Sequence, residues 1–177
     1  MKVINLFAGA GAGKSTVASG LFYYLKNNRL AKCELVNEYA KDLVYDESFV
    51  ELADQLLVTA NQNHRLIKLE KAGVELAIAD SPLILGIFYY TPNKHIPKNL
   101  FEELLVSTFN SYDNINIFLE RDPNITYETY GRKETYEEAV QKDKEIKIFL
   151  DKYNIPYVSI KRSDDTIKEI IQILEKN

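Results

Sequence analysis

Five short apolar runs punctuate the chain, at residues 3–7, 31–37, 74–79, 115–119 and 155–160. Between them the apolar residues fall at helical spacing or give way to turn residues. Residues 14–25 follow a helical pattern that stops at Asn27-Asn28-Arg29, and 38–44 read as a short helix leaving the second strand. Ser48 and Glu51 form a capping-box pattern that predicts a long helix with the stripe Leu52, Leu56, Ala60, Leu66 and Leu69, ending at Ala72-Gly73. Ser81 as N-cap and Pro82 at the first helical position predict another helix. A loop bracketed by Pro92 and Pro97 precedes a helix over 99–110, a second capping box at Thr135 and Glu138 opens a helix to 152, and an amphipathic helix closes the chain over 165–175. Strands alternating with helices predict an α/β fold with a mostly parallel five-stranded sheet covered on both faces.

Bulk properties narrow the class. A length of 177 residues suits one domain, 1–177, with no repeat and no interdomain linker. The net charge of −4 argues against a nucleic-acid or anionic-membrane binder, whose footprint is basic. Cys33 is the only cysteine, which excludes an intrachain disulfide and points to a reducing compartment, the cytoplasm. Its neighbours Leu35 and Val36 predict a buried thiol. The chain enters a core strand at once, leaving no room for a signal peptide, and no apolar run is long enough to span a bilayer. Oligomeric state is open, a homodimer included.

The most informative stretch is Ala8-Gly9-Ala10-Gly11-Ala12-Gly13-Lys14-Ser15-Thr16, set between the first strand and the first helix. Small residues let the backbone bend around a polyphosphate with its N–H groups turned inward. Gly9, Gly11, Ala12, Gly13, Lys14, Ser15 and Thr16 are the candidate nucleotide-binding set. Lys14 brings charge to the outer phosphates, the Ser15 hydroxyl holds Mg²⁺, and the helix start favours an anion. Ala8 stands where the G-x-x-x-x-G-K-[ST] pattern has its first glycine, and the loop is expected to survive it.

In such sheets ligands gather at the carboxyl ends of the strands. That rule selects Glu38 after the second strand, Asp80 after the third and Arg121 after the fourth. Asp80 either serves Mg²⁺ or stabilises the start of the next helix. Because Ser81 follows it, the Asp-Glu pair with which motor-type ATPases polarise water is missing, which favours transfer over hydrolysis. Glu38 either takes the proton of an acceptor hydroxyl or is an ordinary helix acid. Asn61, Gln62 and Arg65 share a polar face on the long helix, which either binds an acceptor or is solvated. Residues 121–133 lack apolar periodicity and carry Arg121, Arg132 and Lys133, as a lid needs to stabilise migrating phosphoryl charge. Tyr127, Tyr130 and Gly131 pack or hinge that lid, and the other reading is a plain loop. Lys161 and Arg162 either flank a nucleobase or are surface charge, and are left outside the set.

Gly11-Ala12-Gly13-Lys14-Ser15-Thr16, Glu38 to Asp42, Ala79 to Pro82, Ile117 to Arg121, Gly131-Arg132 and Ile155 to Val158 together resemble the small P-loop kinase-type ATPases often encoded by bacteriophages. These are similar to the ribosylnicotinamide kinase domain of bacterial NadR proteins, and more distantly to thymidylate kinases. The resemblance implies a P-loop NTPase fold with a small lid, ATP and Mg²⁺ as cofactors, and a small nucleoside or nucleotide-like acceptor. It implies catalytic roles for Lys14, Glu38, Asp80, Arg121 and Arg132, metal binding by Ser15 and Asp80, and acceptor contacts from Glu38, Asn61, Gln62 and Arg65. Where thymidylate kinases have Asp-Arg this chain has Asp80-Ser81, so an acceptor phosphate would need another partner such as Arg65. The rival reading is a nucleotide-dependent ATPase or switch that acts on a protein partner.

Overall fold

The computed structural model describes residues 1–122, 126, 127 and 134–176. Its strands are β1 (Lys2–Phe7), β2 (Cys33–Val36), β3 (Leu76–Ala79), β4 (Asp113–Glu120) and β5 (Val158–Lys161). Its helices are α1 (Lys14–Asn27), α2 (Tyr39–Tyr45), α3 (Phe49–Ala53), α4 (Gln55–Lys71), α5 (Leu85–Tyr89), α6 (Lys98–Asn110), α7 (Tyr136–Lys152) and α8 (Thr166–Leu174). The sheet order is β2-β3-β1-β4-β5, and every pair is parallel. Asn5 lies opposite both Ala79 and Asn116. That register brings the carboxyl ends of β1, β3 and β4 side by side, and with them Ala8, Asp80 and Arg121.

Alternation along the strands divides the core. Ile4, Leu6, Ile78, Ile117 and Leu119 pack under α1 and α8, against Val17, Leu21 and Ile170. Phe7 and Phe118 face the other way, toward Leu85, Phe101, Ile146 and Leu150 of α5, α6 and α7. Val3, Val36, Ala77 and Ala79 lie on that face too, against Leu66 of α4. Each fully buried side chain of this size contributes about 1.5–3 kcal/mol. Three asparagines interrupt the second face at no hydrogen-bonding loss. Asn5 Nδ2 donates to Asn114 Oδ1 at 2.9 Å and to Asn116 Oδ1 at 3.0 Å, and Asn116 Nδ2 reaches Pro156 O at 3.0 Å. No helix among the described residues is long and apolar enough to cross a membrane.

Two expectations about helices change. The long helix expected from Ser48 is broken: Ser48 makes no capping bond, α3 is a single short helix, and Asp54 starts α4 by accepting from Leu56 N and Leu57 N. A side chain that satisfies two orphan amides outcompetes a box whose serine bonds neither. The buried face of α4 is accordingly Gln55, Thr59, Gln62 and Leu66, while Leu56 and Ala60 are exposed. Likewise Ser81 and Pro82 form a turn, and α5 begins at Leu85. The Thr135–Glu138 capping box forms with both its bonds in place.

Gly86 explains why α4 turns a residue as small as Thr59 inward. A Cβ there would lie well inside 3.0 Å of Thr59 Cγ2 and 2.8 Å from Leu105 Cδ2. Thr59 cannot swing away cheaply, since its hydroxyl is bonded to Gln55 O at 2.6 Å. Gly86→Ala is therefore expected to destabilise the fold by about 1–3 kcal/mol through overpacking. Urea denaturation reads this as a lower midpoint at unchanged slope.

Candidate active site

The turn between β1 and α1 combines left-handed glycines with an uncapped helix start. Gly11 and Gly13 take φ of 75° and 88°, in the left-handed region where only glycine is unstrained. Among the described residues, the non-glycine positive φ values belong to Arg29, Glu47 and Asn154, so Ala8 keeps an ordinary backbone and is buried in the core. The first-glycine position thus tolerates alanine. The start of α1 has no side-chain cap and no acid in its first turn, in contrast to α7, which has both. Its N–H groups and positive dipole end are left for an anion.

Side chains close around this loop. Lys14 Nζ folds back to Ala8 O at 2.8 Å and Gly9 O at 3.0 Å. Burial holds its pKa below the ordinary 10.5, with Glu38, Asp80 and Asp143 opposing that shift and Arg121 adding to it. Ser15 Oγ donates to Asp80 Oδ2 at 2.7 Å, while Asp80 Oδ1 is buried with no partner. An orphaned carboxylate oxygen beside a serine hydroxyl offers two hard donors to a divalent cation. No group of three or more His, Cys, Asp or Glu among the described residues could hold an ion alone. This sparse oxygen set fits Mg²⁺, which keeps waters and takes substrate phosphate oxygens.

Glu38 is the residue just before α2, and the neighbouring Ser81 side chain favours its ionised form. Burial pushes its pKa above the ordinary 4.5, and the charge of Asp80 adds to the rise, while Lys14 opposes it. Tyr89, at the rim with part of its side chain in solvent, has its hydroxyl pKa raised, by loss of solvent around that group first and then by the charges of Glu134, Glu38 and Asp143. Its ring lies 5.3 Å from Lys142 Nζ, which is paired with Glu134.

The expected polar face of α4 comes apart. Gln62 is buried and acts as a brace, accepting from Tyr39 N at 3.3 Å and donating to Ser81 O at 3.2 Å. Asn61 donates to Leu57 O of its own helix at 3.0 Å. Arg65 is committed to Asp42 Oδ2 at 2.8 Å and Asn37 O at 2.9 Å, over the Tyr39 ring. Arg121 stands beside the loop, in a pair with Asp143 of α7. Arg132, Lys133, Tyr130 and Gly131 lie outside the described residues. Tyr127 bonds Glu134 O at 2.9 Å and packs edge-on against Tyr136.

Two side chains at the loop went unassigned in the sequence. The Arg162 guanidinium lies over Gly13, where any Cβ would collide with it, and lines a cleft with Gly11, Ala12, Arg121 and Tyr136. Its position after β5 was the available signal. Asp143 reaches the loop from a helix of alternating charges, which carries no signal at all.

Solved structures share this fold. No curated protein matches the sequence. The APS kinase CysC of Mycobacterium tuberculosis is 17% identical over 98% of this chain and 97% of that one, with a TM-score of 0.50. Deoxyadenosine kinase from M. mycoides, solved with bound dATP, is 18% identical over 100% of both chains, with a TM-score of 0.60. The likeness shows the fold, a P-loop NTPase fold with an all-parallel five-stranded sheet. Residues 3–166 match a family described as an AAA domain, and the chain belongs to that family.

Proposed function

We propose that the protein is a kinase that moves the γ-phosphoryl group of ATP to a hydroxyl of a small nucleoside-like acceptor. The observation that carries this reading is the convergence of Lys14, the Ser15–Asp80 pair and Glu38 at the open start of α1. The loop N–H groups and Lys14 bind the phosphate tail. Mg²⁺, held through Ser15 and Asp80, neutralises charge on the phosphates when bound. Glu38 accepts the proton of the acceptor hydroxyl as its oxygen attacks the γ-phosphorus and the bond to the bridging oxygen breaks, releasing ADP. Arg121, and Arg132 in the expected lid, stabilise charge on the migrating group.

The neighbouring carboxylates of Glu38 and Asp80 favour a nucleoside, ribosylnicotinamide included, over a nucleoside monophosphate. Glu38 and Asp80 lie in charge contact with each other, and Arg65 is already paired with Asp42. Like charges brought together cost several kcal/mol. Incubation of nucleosides, their monophosphates and ribosylnicotinamide with ATP and Mg²⁺ tests this by scoring ADP and phosphorylated product. Nucleosides are expected to exceed their monophosphates in kcat/KM by at least about tenfold. ADP released equally with and without every acceptor would instead favour an ATPase or switch acting on a protein partner.

A further inference from the structure

We propose that Asp143 is a positioning residue for phosphoryl transfer, holding Arg121 against the phosphate loop; this rests on the kinase reading above. Its carboxylate meets two parts of the site at once. Oδ1 accepts the Gly9 N–H at 2.6 Å and Arg121 Nη2 at 3.4 Å, and Oδ2 accepts Arg121 Nε. Ala139 O, one turn earlier on α7, takes Arg121 Nη2 at 3.3 Å. The guanidinium is thereby fixed along one edge, while Nη1 has no partner among the described residues.

The three elements are locked together. A Cβ on Gly9 would lie 2.7 Å from Ala139 O, 3.0 Å from Arg121 Nη2 and 3.1 Å from Asp143 Oδ1. The Arg121 and Asp143 side chains are only 11% and 15% exposed. A buried ion pair is a poor source of stability, because desolvation offsets most of its attraction. What it supplies is a fixed direction. Tied to the loop backbone, Arg121 keeps its distance from whatever the loop holds, and a displacement of about 1 Å can cost a hundredfold in rate.

The test is steady-state kinetics on Asp143→Asn, Asp143→Glu, Arg121→Ala and each Asp143 variant combined with Arg121→Ala. Asparagine still accepts from Gly9 but no longer pairs with the guanidinium charge. Asp143→Asn is expected to lower kcat about tenfold or more while the KM for ATP stays within about threefold, since the lost interaction belongs to the transition state. Asp143→Glu is expected to recover part of that loss. In the Arg121→Ala background either Asp143 change should cost less than about twofold, because coupled sites are not additive. If one variant fails to fold, the other decides by the same coupling. Losses that multiply, or a defect confined to KM, overturn the role of Asp143. Wild-type protein without acceptor-dependent transfer overturns the kinase reading itself.

Discussion

Lys14→Ala is expected to lower kcat/KM about a thousandfold, or close to 4 kcal/mol of transition-state stabilisation. The ammonium sits within the phosphate loop, and its present partners are two loop carbonyls, Ala8 O and Gly9 O. Those bonds orient it across the loop without neutralising it. Burial works against the charge and holds the pKa below 10.5, so the fold gains little from keeping a lysine there. Loss of activity should therefore come with a stability change of only about 1 kcal/mol, the worth of the hydrogen bonds removed. Lys14→Met, which keeps the stem, should be as inactive and nearer to wild type in stability. A variant that unfolds in parallel with its lost activity would assign Lys14 a structural role instead.

The same balance of local and distant forces explains what could be read without coordinates. The loop was legible because its demands are local: left-handed backbone at Gly11 and Gly13, then a lysine and a hydroxyl at the helix start. The sheet was legible because its central strands β1, β3 and β4, buried on both faces, read as apolar runs. The Thr135–Glu138 box was legible for the same local reason, and the identical pattern at Ser48 misled because Asp54 offered the next helix a better cap. The buried face of α4 was not legible, since a glycine on another helix leaves room for Thr59 and two distant backbone groups hold Gln62 inward. Gln62 looked like a ligand for substrate because a brace and a binder use the same amide. Asp143 was invisible: it meets Gly9 across 134 positions of sequence.

Glu38→Gln is the second large effect, an expected loss of kcat of about a hundred- to ten-thousandfold, as for other general bases. Its pH dependence separates this role from a merely structural one. The wild-type kcat/KM profile should be a bell. Its acid limb lies above the ordinary carboxylate value of 4.5, because burial raises Glu38 and the base must be ionised to act. Its alkaline limb lies below 10.5, because burial lowers Lys14 and the lysine must be charged to act. In Glu38→Gln the acid limb should vanish. The alkaline limb should move to lower pH, since Glu38 is the foremost charge keeping Lys14 protonated. Stability gives an independent reading. Between 4.5 and its raised folded value Glu38 binds more proton in the native state than in the unfolded one, so wild-type stability falls as pH rises through that window. Denaturation midpoints of Glu38→Gln should lack that slope. An acid limb that survives the substitution would transfer the proton-accepting role to another carboxylate, with Asp80 the nearest in charge contact.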